Sequence, residues 1–332
     1  MPQNKAWTLA SFPSGAVREE NFKLVESPTP APKDGEVLVK NLWLSLDPYM
    51  RGRLSQQKSY TKGVEIGEVM QGQAAGEVLE SRHPGLKPGD KVLTQLGWQL
   101  YGCVKGEEAT RVDAAQAPLS CYLGALGMPG MTAYFGLSEI GKPKKGETVV
   151  VSAASGAVGS VVGQLAKIAG CRAVGIAGGH DKREYVLQKL GFDACVDYKA
   201  GNLQRDLKEA CPNGVDVYFD NVAGETLDMM LRVMNPFSRI IVCGRISDTN
   251  AAEPYGVKSL GSILVNRIKM QGMIVFDWKD RYPEALQALA GYLAAGKLKY
   301  RESVLEGIEK APRGLIGLLK GENFGKQLIK LA

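Results

Sequence analysis

Histidine is almost missing from this chain: its 332 residues include two, His83 and His180. The six cysteines, at positions 103, 121, 171, 195, 211 and 243, form no CxxC pair and no disulfide rhythm. Zinc sites draw on closely spaced Cys and His ligands, so this composition excludes zinc-finger and clustered-cysteine designs. A metal-free, reduced, cytoplasmic protein is the expectation. His83 precedes Pro84 in the polar stretch SRHPGLKPGD and is expected in a surface turn. Long apolar runs are lacking as well. One long uncharged stretch, residues 148–166, is broken by Ser152, Ser155, Gly156, Gly159, Ser160 and Gly163. It reads as a buried strand, a tight turn and a helix start rather than a membrane span. The opening MPQNKAWTLASFPSG has neither the apolar core nor the cleavage site of a secretory leader, and none is expected.

Charge of one sign is also scarce. Lys and Arg number 41 against 35 Asp and Glu, a formal net charge of +6, and no basic run concentrates it. A nucleic-acid face needs clustered cations, so that class is excluded. What is present is an ordinary folded composition, 45% hydrophobic and 23% charged, in a chain long enough for two domains.

Two rhythms divide it. EVLVKNLWLSL, IGEVMQGQAAGEVLES and LKPGDKVLTQLGWQLYGCV read as short strands with turns, the second as two strands across a Gly-rich bend. Gly67, Gly72 and Gly76 suit the corners of a small curved barrel. From Gly127 strands alternate with helices: strands are predicted at 148–153, 172–177, 194–197, 215–220, 239–243 and 269–276. Helices are predicted at 159–169, 183–190, 203–210, 226–234 and 283–295. Such alternation predicts a doubly wound, mostly parallel Rossmann-type sheet. KQLIKLA at the end predicts a last strand that returns to the β unit. The expected domains are therefore 1–126 with 299–332, and 127–298.

The segment TVVVSAASGAVGSVVGQLAK places a strand, a turn of small residues and an apolar helix in sequence. Ala153, Gly156, Ala157, Val158 and Gly159 would let the backbone approach a pyrophosphate at the positive end of the helix. The second strand, ending near Gly179, lacks the acidic residue that accepts from the ribose hydroxyls in NAD sites. It runs instead into AGGHDKR, where Lys182 and Arg183 follow at once, although Asp181 could still face a ribose. NADP is the expected cofactor, with Lys182 on the 2′-phosphate and Tyr198 beside it.

Nine motifs in one order then carry a family resemblance across nearly the whole chain. They are LSLDPYMRGR, GEVMQGQAAGEV, MPGMTAYFGL, SAASGAVGSVVGQLAK, LQKLGFDACVDYK, FDNVAG, VCGRIS, GMIVFDW and GENFGKQ. The chain resembles the zinc-independent medium-chain dehydrogenase/reductase superfamily. Within it, the chain is similar to the leukotriene/prostaglandin, alkenal double-bond and curcumin reductases. The resemblance implies a GroES-like, partly closed β-barrel beside the Rossmann domain, and a homodimer formed through the nucleotide domain. It implies that Asn221 approaches the cofactor and that Gly244, with Cys243, Ile246 and Ser247, lies beside the nicotinamide riboside. It implies that the backbone at Phe276 lines the nicotinamide and that Asn323 reaches the cofactor from the returning tail.

The implied reaction is NADPH-dependent reduction of the C=C bond of α,β-unsaturated aldehydes or ketones, with hydride to the β-carbon and a proton to the α-carbon. An NADPH quinone oxidoreductase and a non-catalytic NADPH-binding protein are the alternatives. With no metal, hydrogen bonding must polarise the carbonyl. Many relatives place a tyrosine where this chain has Thr249 or Val265. Tyr49, in DPYMR, is therefore the candidate catalytic group, with Tyr255 and water as other proton sources.

Overall fold

The computed structural model of the chain describes residues 3–331 apart from positions 58 and 252. It divides into two compact units, one of Met1–Gly124 with Glu302–Ala332, the other of Ala125–Arg301. The first opens with β1 (Gln3–Leu9), β2 (Phe22–Pro28) and β3 (Glu36–Ser45), followed by the short α1 (Met50–Arg53). Next come β4 (Ala74–Ser81), β5 (Lys91–Thr94), β6 (Tyr101–Lys105) and β7 (Thr110–Arg111).

The chain then forms the second unit: α2 (Met128–Phe135), β8 (Thr148–Ser152), α3 (Gly159–Ile168), β9 (Arg172–Ala177), α4 (His180–Gln188), β10 (Ala194–Asp197) and α5 (Leu203–Ala210). It continues through β11 (Val215–Asp220), α6 (Gly224–Leu231), β12 (Met234–Val242), α7 (Gly261–Asn266), β13 (Lys269–Gly272) and α8 (Tyr282–Ala294). Finally β14 (Glu302–Glu306), α9 (Ala311–Leu319) and β15 (Lys326–Lys330) complete the first unit.

In the first unit β1 and β2 form an antiparallel ribbon, and a seven-stranded sheet runs β14-β15-β3-β4-β5-β7 with β6 also on β3. Its pairs are antiparallel except β14 with β15. β3 changes register against β4 at Leu38/Val39 and again at Asn41/Trp43. Each irregularity bends the strand, which helps a short sheet to curl. Gly76 sits at this contact, where a Cβ would lie 2.4 Å from the Lys40 carbonyl oxygen. Leu44, Leu46, Met50, Met70, Trp98, Leu315 and Ile329 fill the core.

The IGEVMQG half of the expected strand pair is not a strand. Residues 66–73 make a single bridge, Thr8 to Val69. Met70 is held from both sides, its N–H donating to Trp7 O at 2.8 Å and its carbonyl accepting from Trp98 N at 2.9 Å. Pairing on two unrelated segments prevents a continuous ladder with either.

The second unit is a six-stranded sheet in the order β10-β9-β8-β11-β12-β13, all parallel. Counted within the unit this is 3-2-1-4-5-6, the doubly wound Rossmann order. β8 reads TVVVS with every residue buried, as a strand covered on both faces requires. The expected strand at 269–276 stops at Gly272, and residues 275–281 coil into a 3₁₀ turn. Aromatic packing explains the change. Trp278 stacks on Phe135 at 5.8 Å, and Tyr282 stacks on the same ring at 6.2 Å, which draws the chain out of line with the sheet. Phe276 therefore lies on that turn, not on a strand, and is exposed.

Candidate cofactor and active site

In a doubly wound sheet the crevice opens at the carboxyl ends of the strands where the order reverses, here between β8 and β11. The turn after β8 is shaped by Ala153, which takes a left-handed φ of 51° and accepts Gly156 N–H at 2.9 Å. A Cβ on Gly159 would lie 2.3 Å from the Ala153 carbonyl, so the turn closes only with glycine there. Gly156, Ala157 and Val158 remain partly exposed around it. The positive end of the α3 dipole lies at this turn.

At the end of β9 the chain passes through Ala177 and Gly178 to Gly179, whose φ is 91°. The Tyr198 ring lies over Gly178, where a Cβ would come within 2.6 Å of it. Asp197 does not present its carboxylate to a ribose. Oδ1 accepts from Gly179 N at 2.9 Å and Lys199 N at 2.9 Å, which fixes the turn instead. Arg183 is also engaged, donating from Nε to Cys195 O at 3.1 Å. Lys182, half-buried on the first turn of α4, remains facing this corner. Burial first, and the Lys199 cation second, hold its pKa below the ordinary 10.5. Two ammonium groups close enough to repel one another, beside an aromatic ring, fit a dianionic phosphate and disfavour a bare diol.

Across the switch point Asn221 is tied to β8, its N–H donating to Ser152 Oγ at 2.8 Å and its Nδ2 to Ser152 O at 2.9 Å. Beneath it Asp220 is fully buried. Its Oδ1 accepts from Tyr218 OH, Val222 N and Ala223 N, each at 2.9 Å, while Oδ2 has no partner among the described residues. Burial raises the pKa of this carboxyl against those donors. The main-chain carbonyl of Asp220 accepts from Cys243 N at 2.8 Å and Gly244 N at 3.0 Å. A Cβ on Gly244 would touch Asn221 O at 3.0 Å. Ser247 closes the rim, donating from Oγ to Val222 O at 2.6 Å, and Ile246 N reaches Asn221 O at 3.5 Å. The Cys243 thiol is pushed up to about 12, by burial first and then by Asp220, so it stays a neutral thiol.

The second unit therefore brings together Ala153, Gly156, Ala157, Val158, Gly159, Gly179, Lys182, Tyr198, Asn221, Cys243, Gly244, Ile246 and Ser247 along the carboxyl edge of one sheet. Such a cradle fits a dinucleotide with a phosphorylated ribose. Tyr49 and Asn323 belong to the first unit, where Asn323 Nδ2 donates to Gly325 O at 2.8 Å. Lys199, Ser152 and Asp220 play parts that sequence reasoning missed. Lys199 carried a signal, a cation directly after Tyr198 at the third strand's end. Ser152 and Asp220 gave none, because a strand-end serine and a buried aspartate look alike in any parallel sheet.

Tyr49 precedes α1 and packs against the core of the first unit. Its phenol pKa stands well above the ordinary 10, chiefly through burial and then through Asp47, with Arg53 opposing. The phenol therefore keeps its proton across the working pH range. Tyr255 lies under the Lys258 ammonium, 5.4 Å from its ring centre. Among the described residues no three His, Cys, Asp or Glu side chains gather as metal ligands would. No helix among them is long and apolar enough to cross a membrane.

Residues 5–112 match the family described as the N-terminal domain of oxidoreductase, and residues 157–291 match the zinc-binding dehydrogenase family. The chain is 46% identical to the NADPH-dependent curcumin reductase of Escherichia coli over 99% of its length and 97% of that protein. It is 42% identical to the NADP(+)-dependent 2-alkenal reductase of Nicotiana tabacum, over 99% and 98%. The crystal structure of CurA from Vibrio vulnificus in complex with NADPH superposes with a TM-score of 0.95 at 45% identity, covering 99% of both chains. The chain belongs to the medium-chain dehydrogenase/reductase superfamily, in its group of curcumin, alkenal and prostaglandin reductases.

Proposed function

We propose that the chain reduces the C=C bond of α,β-unsaturated aldehydes and ketones at the expense of NADPH, with no metal. In this proposal Ala125–Arg301 is the dinucleotide-binding domain and the remaining unit is the substrate domain. The observation that carries it is the paired Lys182 and Lys199 beside Tyr198, with Asp197 Oδ1 committed to main-chain N–H groups, in a chain similar over its full length to NADPH-dependent reductases. When bound, NADPH supplies a hydride to the β-carbon; the displaced π pair charges the carbonyl oxygen, and a solvent proton at the α-carbon completes the reduction. Gly159 and the start of α3 hold the pyrophosphate, and Lys182, Lys199 and Tyr198 hold the 2′-phosphate. Asn221, Cys243, Gly244, Ile246 and Ser247 support the nicotinamide riboside, with Phe276 and Asn323 completing the cofactor contacts. Tyr49 donates a hydrogen bond to the carbonyl oxygen as it becomes an enolate oxygen.

The test is loss of NADPH absorbance with a medium-chain 2-alkenal, an alkenone and a quinone, each repeated with NADH. Turnover of the enal and enone to saturated products, with NADPH strongly preferred, is the expected result. Turnover of the quinone alone would instead make the chain a quinone oxidoreductase. Tight NADPH binding without any turnover would make it a binding protein. Tyr49→Phe should lower kcat about 10- to 100-fold, with NADPH affinity intact, because one charge-assisted donor to the oxygen is lost. Unchanged turnover would remove Tyr49 from the chemistry.

The proposal includes a cytoplasmic homodimer. β13 ends the sheet order, and its outer edge offers main-chain groups to a second copy about a two-fold axis. A monomer mass by light scattering would exclude that arrangement. The cysteines of the described residues are all free thiols, in keeping with a reducing compartment.

A further inference from the structure

Arg53 ends α1 and is only 5% exposed, and the contacts of its guanidinium are with rings rather than with a carboxylate. Its Cζ lies 5.2 Å from the centre of the Tyr49 ring and 4.8 Å from that of Tyr60. The buried carboxylate of Asp47 is committed to Lys326 Nζ at 2.6 Å and to the Ser45 hydroxyl. The clamp is built by the backbone. Val64 N donates to Arg53 O at 2.9 Å, and a Cβ on Gly63 would press within 2.9 Å of that oxygen, so the intervening loop folds tightly back. Tyr60, carried on that loop, covers Arg53. Set against two rings, the guanidinium is held by cation–π contacts and places a fixed cation beside Tyr49.

We infer that Arg53 is a positioning residue for Tyr49: its guanidinium, set against the ring, holds it in place and favours negative charge at the oxygen to which the phenol donates. The inference rests on the assignment of Tyr49 as that donor. On the phenol, Arg53 opposes the larger effect of Asp47, whose carboxylate is paired with the Lys326 ammonium. The charge matters most when the carbonyl oxygen gains electron density during hydride addition, so its effect falls on kcat rather than on cofactor binding.

The experiment compares Arg53→Met, Arg53→Lys, Tyr49→Phe and the double variant R53M/Y49F as full-length chains, with a 2-alkenal and NADPH. Arg53→Met should lower kcat about tenfold, with the KM for NADPH within about twofold. Arg53→Lys, which restores the cation without the planar fork, should recover most of that loss. On the Tyr49→Phe background Arg53→Met should cost less than about threefold, because the group it acts through is gone. Equal losses in the Lys and Met variants would overturn the inference by showing a purely structural role. A full tenfold loss on the Phe background would overturn it by showing that Arg53 does not act through Tyr49. Unchanged turnover in Tyr49→Phe itself would instead take away the donor assignment, and the inference with it.

Discussion

Replacing Lys182 by Ala should raise the KM for NADPH about 10- to 100-fold and leave the KM for NADH within about twofold. The asymmetry is the point, since the 2′-phosphate is the only group that separates the two cofactors. Charge-assisted bonds to phosphate are about twice as strong as neutral ones, and here the alternatives are spoken for. Arg183 is turned to the Cys195 carbonyl, and Asp197 is folded into its own turn. The same corner predicts a pH dependence. Burial and the Lys199 charge lower the Lys182 pKa, so its cationic form is lost as pH rises through a value below 10.5. NADPH affinity should therefore weaken on the alkaline side before that of an ordinary surface lysine would, and the NADPH preference over NADH should shrink with it. Bound phosphate pulls the pKa back up, so the free enzyme, read through kcat/KM, shows the shift most plainly. A KM for NADPH that is indifferent to Lys182→Ala would move the 2′-phosphate away from α4.

The second large effect concerns folding. Lys326→Met should destabilise the first unit by about 3–5 kcal/mol, read by urea unfolding, because it leaves Asp47 as an unpaired buried carboxylate. Lys326 is fully enclosed, with Nζ donating to Leu46 O at 2.8 Å and to Asp47 Oδ1 at 2.6 Å. The pair joins β15, which arrives from the far end of the sequence, to the residues just before Tyr49. Burial lowers the ammonium pKa, and the Asp47 carboxylate opposes the shift. Asp47→Asn should be about as costly, since it strands the cation. Removing both charges together, with Lys326→Met and Asp47→Leu, should recover much of the loss, because two apolar groups need no partner. If the double variant is no more stable than Lys326→Met alone, charge burial is not the source of the effect.

Glu302 adds to this region. Burial raises its pKa despite a hydrogen bond from Ser120 Oγ at 3.0 Å, and its Oε1 has no partner among the described residues. Nothing in the order of residues along the chain associates positions 47, 120, 302 and 326. The return of β14 and β15 to the first sheet brings them together.

The nucleotide half was far more legible than the substrate half. β9, β10, α5 and β11 lie where alternating apolar and polar residues place them, because parallel strands buried on both faces write themselves as short apolar runs. The tight turn after β8 was legible for a related reason: close backbone approach admits only small residues, and Gly159 is required by a carbonyl 2.3 Å from its missing Cβ. Strand patterns failed where partners were distant. Residues 66–73 alternate convincingly, yet are shared between Trp7 and Trp98. Residues 273–276 continue an apolar strand, yet Phe135 captures Trp278 and turns the chain aside.

By itself, the sequence determined the Rossmann rhythm, the turn of small residues after its first strand and the cation that follows the second. Each depends on residues close together in the chain, where sterics and periodicity act directly. Only the tertiary structure decided that Lys199 joins Lys182, that Asp197 and Arg183 bond to the backbone, and that Arg53 lies against Tyr49 and Tyr60. Those outcomes depend on which charges are desolvated together, and desolvation belongs to the packed fold rather than to any stretch of residues.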